Sequence, residues 1–120
     1  MSEASLYERL GGPDKIRDIC TDIFDNHLSN PKIKSRYVDS NRDAVIQSVW
    51  EFFCSGIGGP ETYHGQDMKA AHRGMNISGD EFVAVCDDVL SALDKNQVGQ
   101  KERDEVLCIL YSMKADIVGG

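Results

Sequence analysis

The sequence has no long hydrophobic run, no cluster of basic residues and no pattern of a secretory leader. No apolar stretch approaches the ~20 residues that a membrane-spanning helix needs. The first ten residues, MSEASLYERL, lack the basic and then apolar order of a signal peptide. The net charge of −7, with Lys and Arg scattered among acidic residues, argues against a partner rich in phosphates. We therefore expect an acidic, cytoplasmic protein that binds neither membrane nor nucleic acid.

Closely spaced cysteine pairs are also lacking. The four cysteines, Cys20, Cys54, Cys86 and Cys108, stand far apart, and each lies within an apolar helical pattern. This arrangement predicts buried free thiols, because disulfide frameworks and zinc sites need cysteines in paired spacings.

The length of 120 residues is enough for one domain, residues 1–120, and too short for two. The 41% of hydrophobic and 28% of charged residues are typical of a globular chain. A core that folds unaided is expected, with little chain left over for a deep empty cavity. If a pocket exists, a bound cofactor should fill it, and we expect a monomer.

The strongest periodic pattern predicts a helix from Pro13 to Leu28, with Gly11-Gly12 before it. Its apolar stripe comprises Ile16, Ile19, Cys20, Ile23, Phe24, His27 and Leu28. A second helix is predicted to begin at Ser40 and to end near Gly56.

The capping box from Ser78 to Glu81 predicts the start of a third long helix. After a turn between Asn96 and Gly99, a last helix should carry Val106, Leu107, Leu110, Met113 and Ile117. No segment alternates between polar and apolar residues for long enough to form a strand. The predicted class is all-α.

An irregular stretch of about twenty residues, from Gly58 to Ser78, interrupts this pattern. Within it, Met68, His72 and Met75 fall on one face of a short helix predicted over residues 66–74. Lys69 and Arg73 flank that face. An apolar face with one imidazole and a positive rim suits an iron porphyrin. On composition alone, a surface helix with one partly buried histidine is the simpler interpretation.

Two blocks change that balance, SLYERLGG near the N-terminus and GGPETYHGQDMKAAHRGMNIS in the middle. With the helix order between them, they resemble the group I truncated haemoglobins over essentially the whole chain. The resemblance implies a truncated globin, a two-over-two helical sandwich around haem b. One pair would be Pro13–Ser29 with Ala44–Ser55, and the other Asp80–Leu93 with Lys101–Ile117.

The resemblance also implies site residues. His72 matches the proximal iron ligand, and Lys69 and Arg73 would approach the haem propionates. The other residues expected to line the haem are Phe53, Tyr63, Met68, Ile77, Phe82, and Val85 or Cys86. The simpler interpretation of these side chains is core packing, which holds even if they touch the haem edge.

The distal side departs from the family pattern. Many members have Phe-Tyr where this chain has Ile23-Phe24, so the usual phenol is missing. The positions of the distal gate and of an assisting Gln match Val45 and Val49, which donate no hydrogen bond. Tyr37 stands where a Phe normally stacks on the porphyrin. Its hydroxyl would either replace the missing donor or face solvent, and the sequence leaves both open.

Four further polar residues are expected outside the chemistry. His27 should be a hydrogen-bonded core histidine, and His64 a surface residue. Ser48 matches a position at which some members supply a sixth iron ligand, but serine is a poor one. Gln47 should point away from the haem.

The leading functional hypothesis is reversible binding of a diatomic ligand at pentacoordinate haem iron, with oxygen as the default and NO and CO as alternatives. A second hypothesis is an NO dioxygenase or peroxidase-like enzyme, which needs polar groups near the bound ligand. A third is a haem-free helical module that works by protein contact. A reductase of unknown identity is a further partner that the haem hypotheses allow.

Overall fold

Helices account for nearly all the regular structure in the computed structural model, which describes residues 4–60, 63, 65 and 74–118. They are α1 (Leu6–Arg9), α2 (Pro13–Ser29), α3 (Arg42–Gly56), α4 (Gly79–Lys95), α5 (Gln100–Ser112) and α6 (Lys114–Ile117), with a 3-10 turn at Lys34–Arg36. Over these ranges the β-type pairing is limited to one isolated bridge between Ile77 and Val118. No helix in the described part of the chain is long and apolar enough to span a membrane. The all-α prediction is confirmed.

The helix α2 is the centre of the packing. It lies against α3 on one side and α4 on the other, and α4 in turn packs against α5. The two pairs, α2 with α3 and α4 with α5, are those expected for a two-over-two sandwich.

The predicted stripe of α2 faces the core. Gly12 precedes the helix with a φ of 83°, a left-handed conformation that glycine adopts at low cost, and Pro13 occupies the first turn. The stripe residues from Ile16 to His27 are all buried, and Leu28 is half-buried. Burial of this stripe explains why the periodic pattern was the strongest in the sequence.

Two helix boundaries differ from the sequence prediction. Asn41, not Ser40, caps α3, because its side-chain oxygen accepts a hydrogen bond from the Ala44 N–H at 3.0 Å. The Ser40 hydroxyl instead donates to the Tyr37 carbonyl. The single predicted last helix breaks at Met113, whose N–H bonds the carbonyls at the end of α5.

The predicted start of a helix at the capping box from Ser78 to Glu81 is confirmed. The Ser78 hydroxyl accepts a hydrogen bond from the Glu81 N–H at 3.1 Å, and the Glu81 carboxylate accepts one from the Ser78 N–H at 3.2 Å. This reciprocal capping box fixes the start of α4.

The cysteines are all free thiols, as expected, but one of them is not buried. Cys20, Cys54 and Cys86 lie in the interior, whereas Cys108 is exposed. Cys108 follows Val106, the buried residue of α5, by two positions, which turns it to the far side of the helix. The expectation of burial was wrong for this residue.

Replacement of Leu93 by alanine should strongly destabilise the fold. Leu93 is fully buried on α4, so Leu93→Ala leaves a cavity and should lower the free energy of unfolding by about 2–5 kcal/mol. Val83 is on the same helix but 43% exposed, so Val83→Ala is the matched control, with a change within about 0.5 kcal/mol. Denaturant unfolding of both variants gives the comparison. Equal losses would contradict the assigned core.

Candidate functional site

A cavity of about 400 Å³ lies between α2, α3, α4, α5, α6 and the corner that precedes α3. Its wall is mostly aliphatic and aromatic, with Phe24, Val45, Val49, Phe52, Phe53, Val85, Val89, Leu110 and Met113 among the lining residues. Among the described residues, the hydroxyls of the wall come from Tyr37, Ser48, Tyr63 and Ser112, and its imidazole comes from His27. An apolar cleft with few polar groups is typical of a cofactor or ligand site.

Six of the residues predicted for the haem site line this cavity. They are Phe24, Tyr37, Val45, Val49, Phe53 and Tyr63. Val45, Val49 and Phe53 recur every four residues on α3, so they share one face of that helix, and the face is turned towards the cavity. Tyr63 packs its ring edge-on against Phe52, with ring centroids 5.0 Å apart.

Three other predicted site residues are buried elsewhere. Phe82 packs edge-on against Tyr111, with centroids 5.5 Å apart, and Ile77 pairs with Val118. Cys86 is buried, which raises the pKa of its thiol. None of the three lines the cavity as the described residues bound it, and α4 contributes Val85 and Val89 to the wall instead. Val85 was the sequence alternative to Cys86.

The predicted proximal residues lie outside the described part of the chain. These are Met68, Lys69, His72 and Arg73, together with His64. Their assignments stay predictions from the sequence.

The far wall of the cavity was missed by the sequence analysis. Ile109, Leu110, Met113 and Ile117 line it from α5 and α6. Leu110, Met113 and Ile117 recur at helical spacing, a signal that predicted the last helix but was not connected with a ligand site. The same side chains do both, because the cavity borders the core.

His27 and Asp88 form a buried pair across the α2–α4 interface. His27 Nδ1 lies 2.7 Å from Asp88 Oδ2, and only 6% of His27 is exposed. Burial lowers the pKa of His27 below its ordinary value, although the hydrogen bond and charge of Asp88 act in the opposite direction. The expectation of a hydrogen-bonded core histidine is confirmed, and His27 also lines the cavity, which the sequence did not indicate.

Tyr37, at the corner before α3, contacts two aromatic rings of α2. Its ring stacks on His27, with centroids 4.9 Å apart and planes 27° apart, and meets Phe24 edge-on at 5.9 Å. Burial raises the pKa of Tyr37, so the phenol keeps its proton at neutral pH. The hydroxyl makes no hydrogen bond within the residues the structure describes. It is a free donor in a wall that is otherwise mostly apolar.

A salt bridge holds this corner to the start of α4. The Arg36 guanidinium pairs with the Glu81 carboxylate and also donates to the Met75 carbonyl at 3.2 Å. The same pairing, with the capping hydrogen bond from Ser78, lowers the pKa of Glu81 to about 2. The residue before Tyr37 is therefore tied to the chain that follows the predicted iron ligand.

Gln47 points away from the cavity, as predicted. Its side-chain oxygen accepts a hydrogen bond from Arg17 at 2.5 Å, and its amide donates to Glu51 at 2.9 Å. Ser48, the next residue, does line the cavity. Gln47 is thus not a distal hydrogen-bond donor.

The described wall fits a flat, largely apolar macrocycle. Phenylalanine rings and valine methyl groups offer the apolar slot that a porphyrin needs, and its single free phenol lies at the corner. The apolar composition of the cavity wall agrees with the haem expected from the sequence.

The buried histidine should make stability depend on pH. Because the pKa of His27 is lowered in the folded state, the unfolded chain takes up this proton first as pH falls below about 6.5. Stability attributable to the pair is therefore present above that value and decreases as pH falls towards the lowered pKa. The double variant His27→Gln, Asp88→Asn replaces the pair by two amides that do not titrate.

The free energy of unfolding of wild type minus that of the double variant should decrease between about pH 7 and 5.5. Denaturant unfolding at several pH values measures it, and the contributions of other groups cancel. A difference that is constant or rises as pH falls would contradict the neutral, buried imidazole.

The sequence of this chain is similar to those of known proteins. Residues 5–118 match the model of the bacterial-like globin family. The group 1 truncated hemoglobin of Tetrahymena pyriformis is 24% identical over 115 residues, which cover 96% of this chain and 95% of that protein.

Solved structures share the fold. The crystal structure of the truncated hemoglobin from Tetrahymena pyriformis in its Fe(III) form matches with a TM-score of 0.93 at 23% identity, covering 98% of this chain and all of that one. The 2/2 hemoglobin from Synechococcus sp., in the cyanomet state and with covalently attached heme, matches with a TM-score of 0.90 at 24% identity and the same coverage. The two-over-two prediction and the predicted resemblance are confirmed, and the chain belongs to the bacterial-like globin family, a family of haem proteins.

Proposed function

We propose that the protein reversibly binds a diatomic gas, oxygen in the first place, at a haem b iron held by His72. The observation that carries the proposal is the apolar cavity of about 400 Å³ with the Tyr37 phenol in its wall, which makes no hydrogen bond to the described residues. When bound, haem supplies an iron with a vacant coordination position. The protein's own side chains then decide how firmly the haem is held and how a gas molecule is retained.

On the proximal side, His72 would hold the iron through a neutral imidazole. Met68 shares its predicted helix face and would pack on the ring, and Lys69 and Arg73 would neutralise the propionates. The Arg36 hydrogen bond to the Met75 carbonyl restrains the chain three residues after His72. This contact ties the chain that follows the proposed ligand to the corner before α3.

On the distal side, the chain offers few donors. Phe24, Val45 and Val49 are apolar, and each lines the cavity. Tyr37 keeps its proton and has no other described hydrogen bond, so its hydroxyl is available to a polar ligand. We therefore assign Tyr37 as the distal donor.

A distal wall of this kind favours a binder over a dedicated enzyme. Oxygen chemistry beyond binding needs several groups that stabilise developing charge, and here the buried imidazole of His27 is already engaged by Asp88. Oxygen gains from a donor and carbon monoxide gains far less, so a single phenol shifts selectivity towards oxygen.

Loss of His72 should abolish stable haem binding. His72→Ala removes the axial imidazole, so haem should dissociate faster by roughly tenfold or more, since ~1.4 kcal/mol is a factor of ten. His64→Ala is the matched control and should leave the ferrous–CO absorption spectrum nearly unchanged. A normal ferrous–CO Soret band in His72→Ala, without added imidazole, would rule out this ligand.

Loss of the Tyr37 hydroxyl should speed oxygen release. A hydrogen bond to a partly charged oxygen contributes about 1.5–3 kcal/mol, so Tyr37→Phe should raise the oxygen dissociation rate by roughly tenfold or more. Carbon monoxide release is the internal control and should hardly change. Flash photolysis and stopped-flow mixing measure both rates.

An unchanged oxygen rate in Tyr37→Phe would leave an apolar distal pocket. In that case oxygen should already leave the wild-type protein quickly, and Phe24→Tyr should slow its release by roughly tenfold, since it restores a phenol on α2. The two variants together distinguish a donor at the corner from no donor at all.

A further inference from the structure

The pair formed by His27 and Asp88 ties one polar residue of the cavity wall, His27, to α4, and the proposed function gives the pair no task. Asp88 is 9% exposed, and its carboxylate lies on α4 against the α2 residue His27. A buried carboxylate needs partners to offset its loss of hydration. The Asp88 carboxylate has such partners in His27 and Asn30.

Asparagine side chains complete the surroundings of Asp88. The Asn30 amide donates to both carboxylate oxygens, at 3.2 and 3.3 Å. The Asn26 amide donates to the Asp88 carbonyl at 3.0 Å. These contacts fix the carboxylate, and the carboxylate in turn fixes the imidazole through Nδ1.

The imidazole of His27 packs against the ring of Tyr37. The two rings stack with centroids 4.9 Å apart, and Phe24 also meets the phenol edge-on. Tyr37 itself lies between the 3-10 turn and α3, outside any long helix, so its backbone alone leaves its side chain free to turn. Its orientation therefore depends on the rings that hold it.

We propose that Asp88 and His27 form a positioning dyad for Tyr37. Asp88 holds the imidazole at Nδ1, and the imidazole face holds the phenol in the cavity wall. The two residues thereby set the distance from the Tyr37 hydroxyl to the ligand, and neither needs to contact the ligand. The oxygen readout below rests on the proposed function, whereas the ring contact does not.

The ring contact is measured by NMR on the ferrous–CO protein, which is diamagnetic. Wild type should show a nuclear Overhauser effect between the ring protons of His27 and Tyr37, with the tyrosine signals assigned by their loss in Tyr37→Phe. Asp88→Ala should abolish it, because the imidazole loses its tether. Asp88→Asn keeps a side-chain oxygen to accept from Nδ1–H and should retain it. Asp87→Ala removes the neighbouring exposed carboxylate and is the matched control.

The oxygen readout is a double-mutant cycle. Asp88→Ala should raise the oxygen dissociation rate by roughly as much as Tyr37→Phe does, on the order of tenfold. Added to Tyr37→Phe, it should have almost no further effect, because a residue that acts through another loses its effect when that residue is gone. If Asp88→Ala fails to fold, Asp88→Leu with His27→Leu replaces it, since removing both members leaves neither the imidazole nor the carboxylate buried without the other.

The outcomes separate the two proposals. Equal acceleration by Asp88→Ala with and without Tyr37 would overturn the dyad, and so would a ring contact that persists in Asp88→Ala. Oxygen release that responds to Tyr37→Phe but not to Asp88→Ala would also overturn it. If Tyr37→Phe itself is silent, the distal-donor assignment fails, and the ring contact alone decides whether the dyad exists.

Discussion

The apolar cavity between α2, α3, α4, α5 and α6 decides how these helices pack. Unfilled apolar volume in a protein core costs about 24 cal/mol per Å³, so a wall around about 400 Å³ is destabilising unless something packs against it. A chain of 120 residues has no surplus core to offset such a cost. A bound group would supply the missing contacts, and haem, the cofactor of the globin family, is apolar over most of its surface, as this wall is.

The helices and the corner before α3 therefore contribute to the fold in different ways. Ile16 and Ile19 of α2 and Leu93 of α4 belong to the part of the core that is packed by protein alone. The α3 face, α5 and α6 instead meet across the cavity. The salt bridge between Arg36 and Glu81 ties the corner before α3 to the start of α4. Binding and folding are thus linked, because a ligand that binds only the folded state stabilises it.

The sequence predicted the structure correctly where spacing or a local hydrogen bond decides it. The α2 stripe and the Ser78 capping box follow from spacing and local hydrogen bonding alone. It failed where a tertiary partner decides the outcome. Nothing near His27 in the sequence points to Asp88, which is sixty-one residues away, and a half-buried phenol at position 37 cannot be distinguished from a solvent-facing one without its neighbours. The break of the last helix at Met113 likewise has no Gly or Pro to mark it.

The most direct test compares the thermal unfolding of the same protein with and without haem. If the cofactor completes the core, the haem-loaded protein should melt more than about 10 °C above the apoprotein, since each 1 kcal/mol shifts the midpoint by about 4–8 °C in a domain of this size. Amide hydrogens of residues that line the cavity should also exchange faster in the apoprotein. Equal melting temperatures, with equal exchange along α3 and α5, would contradict the account.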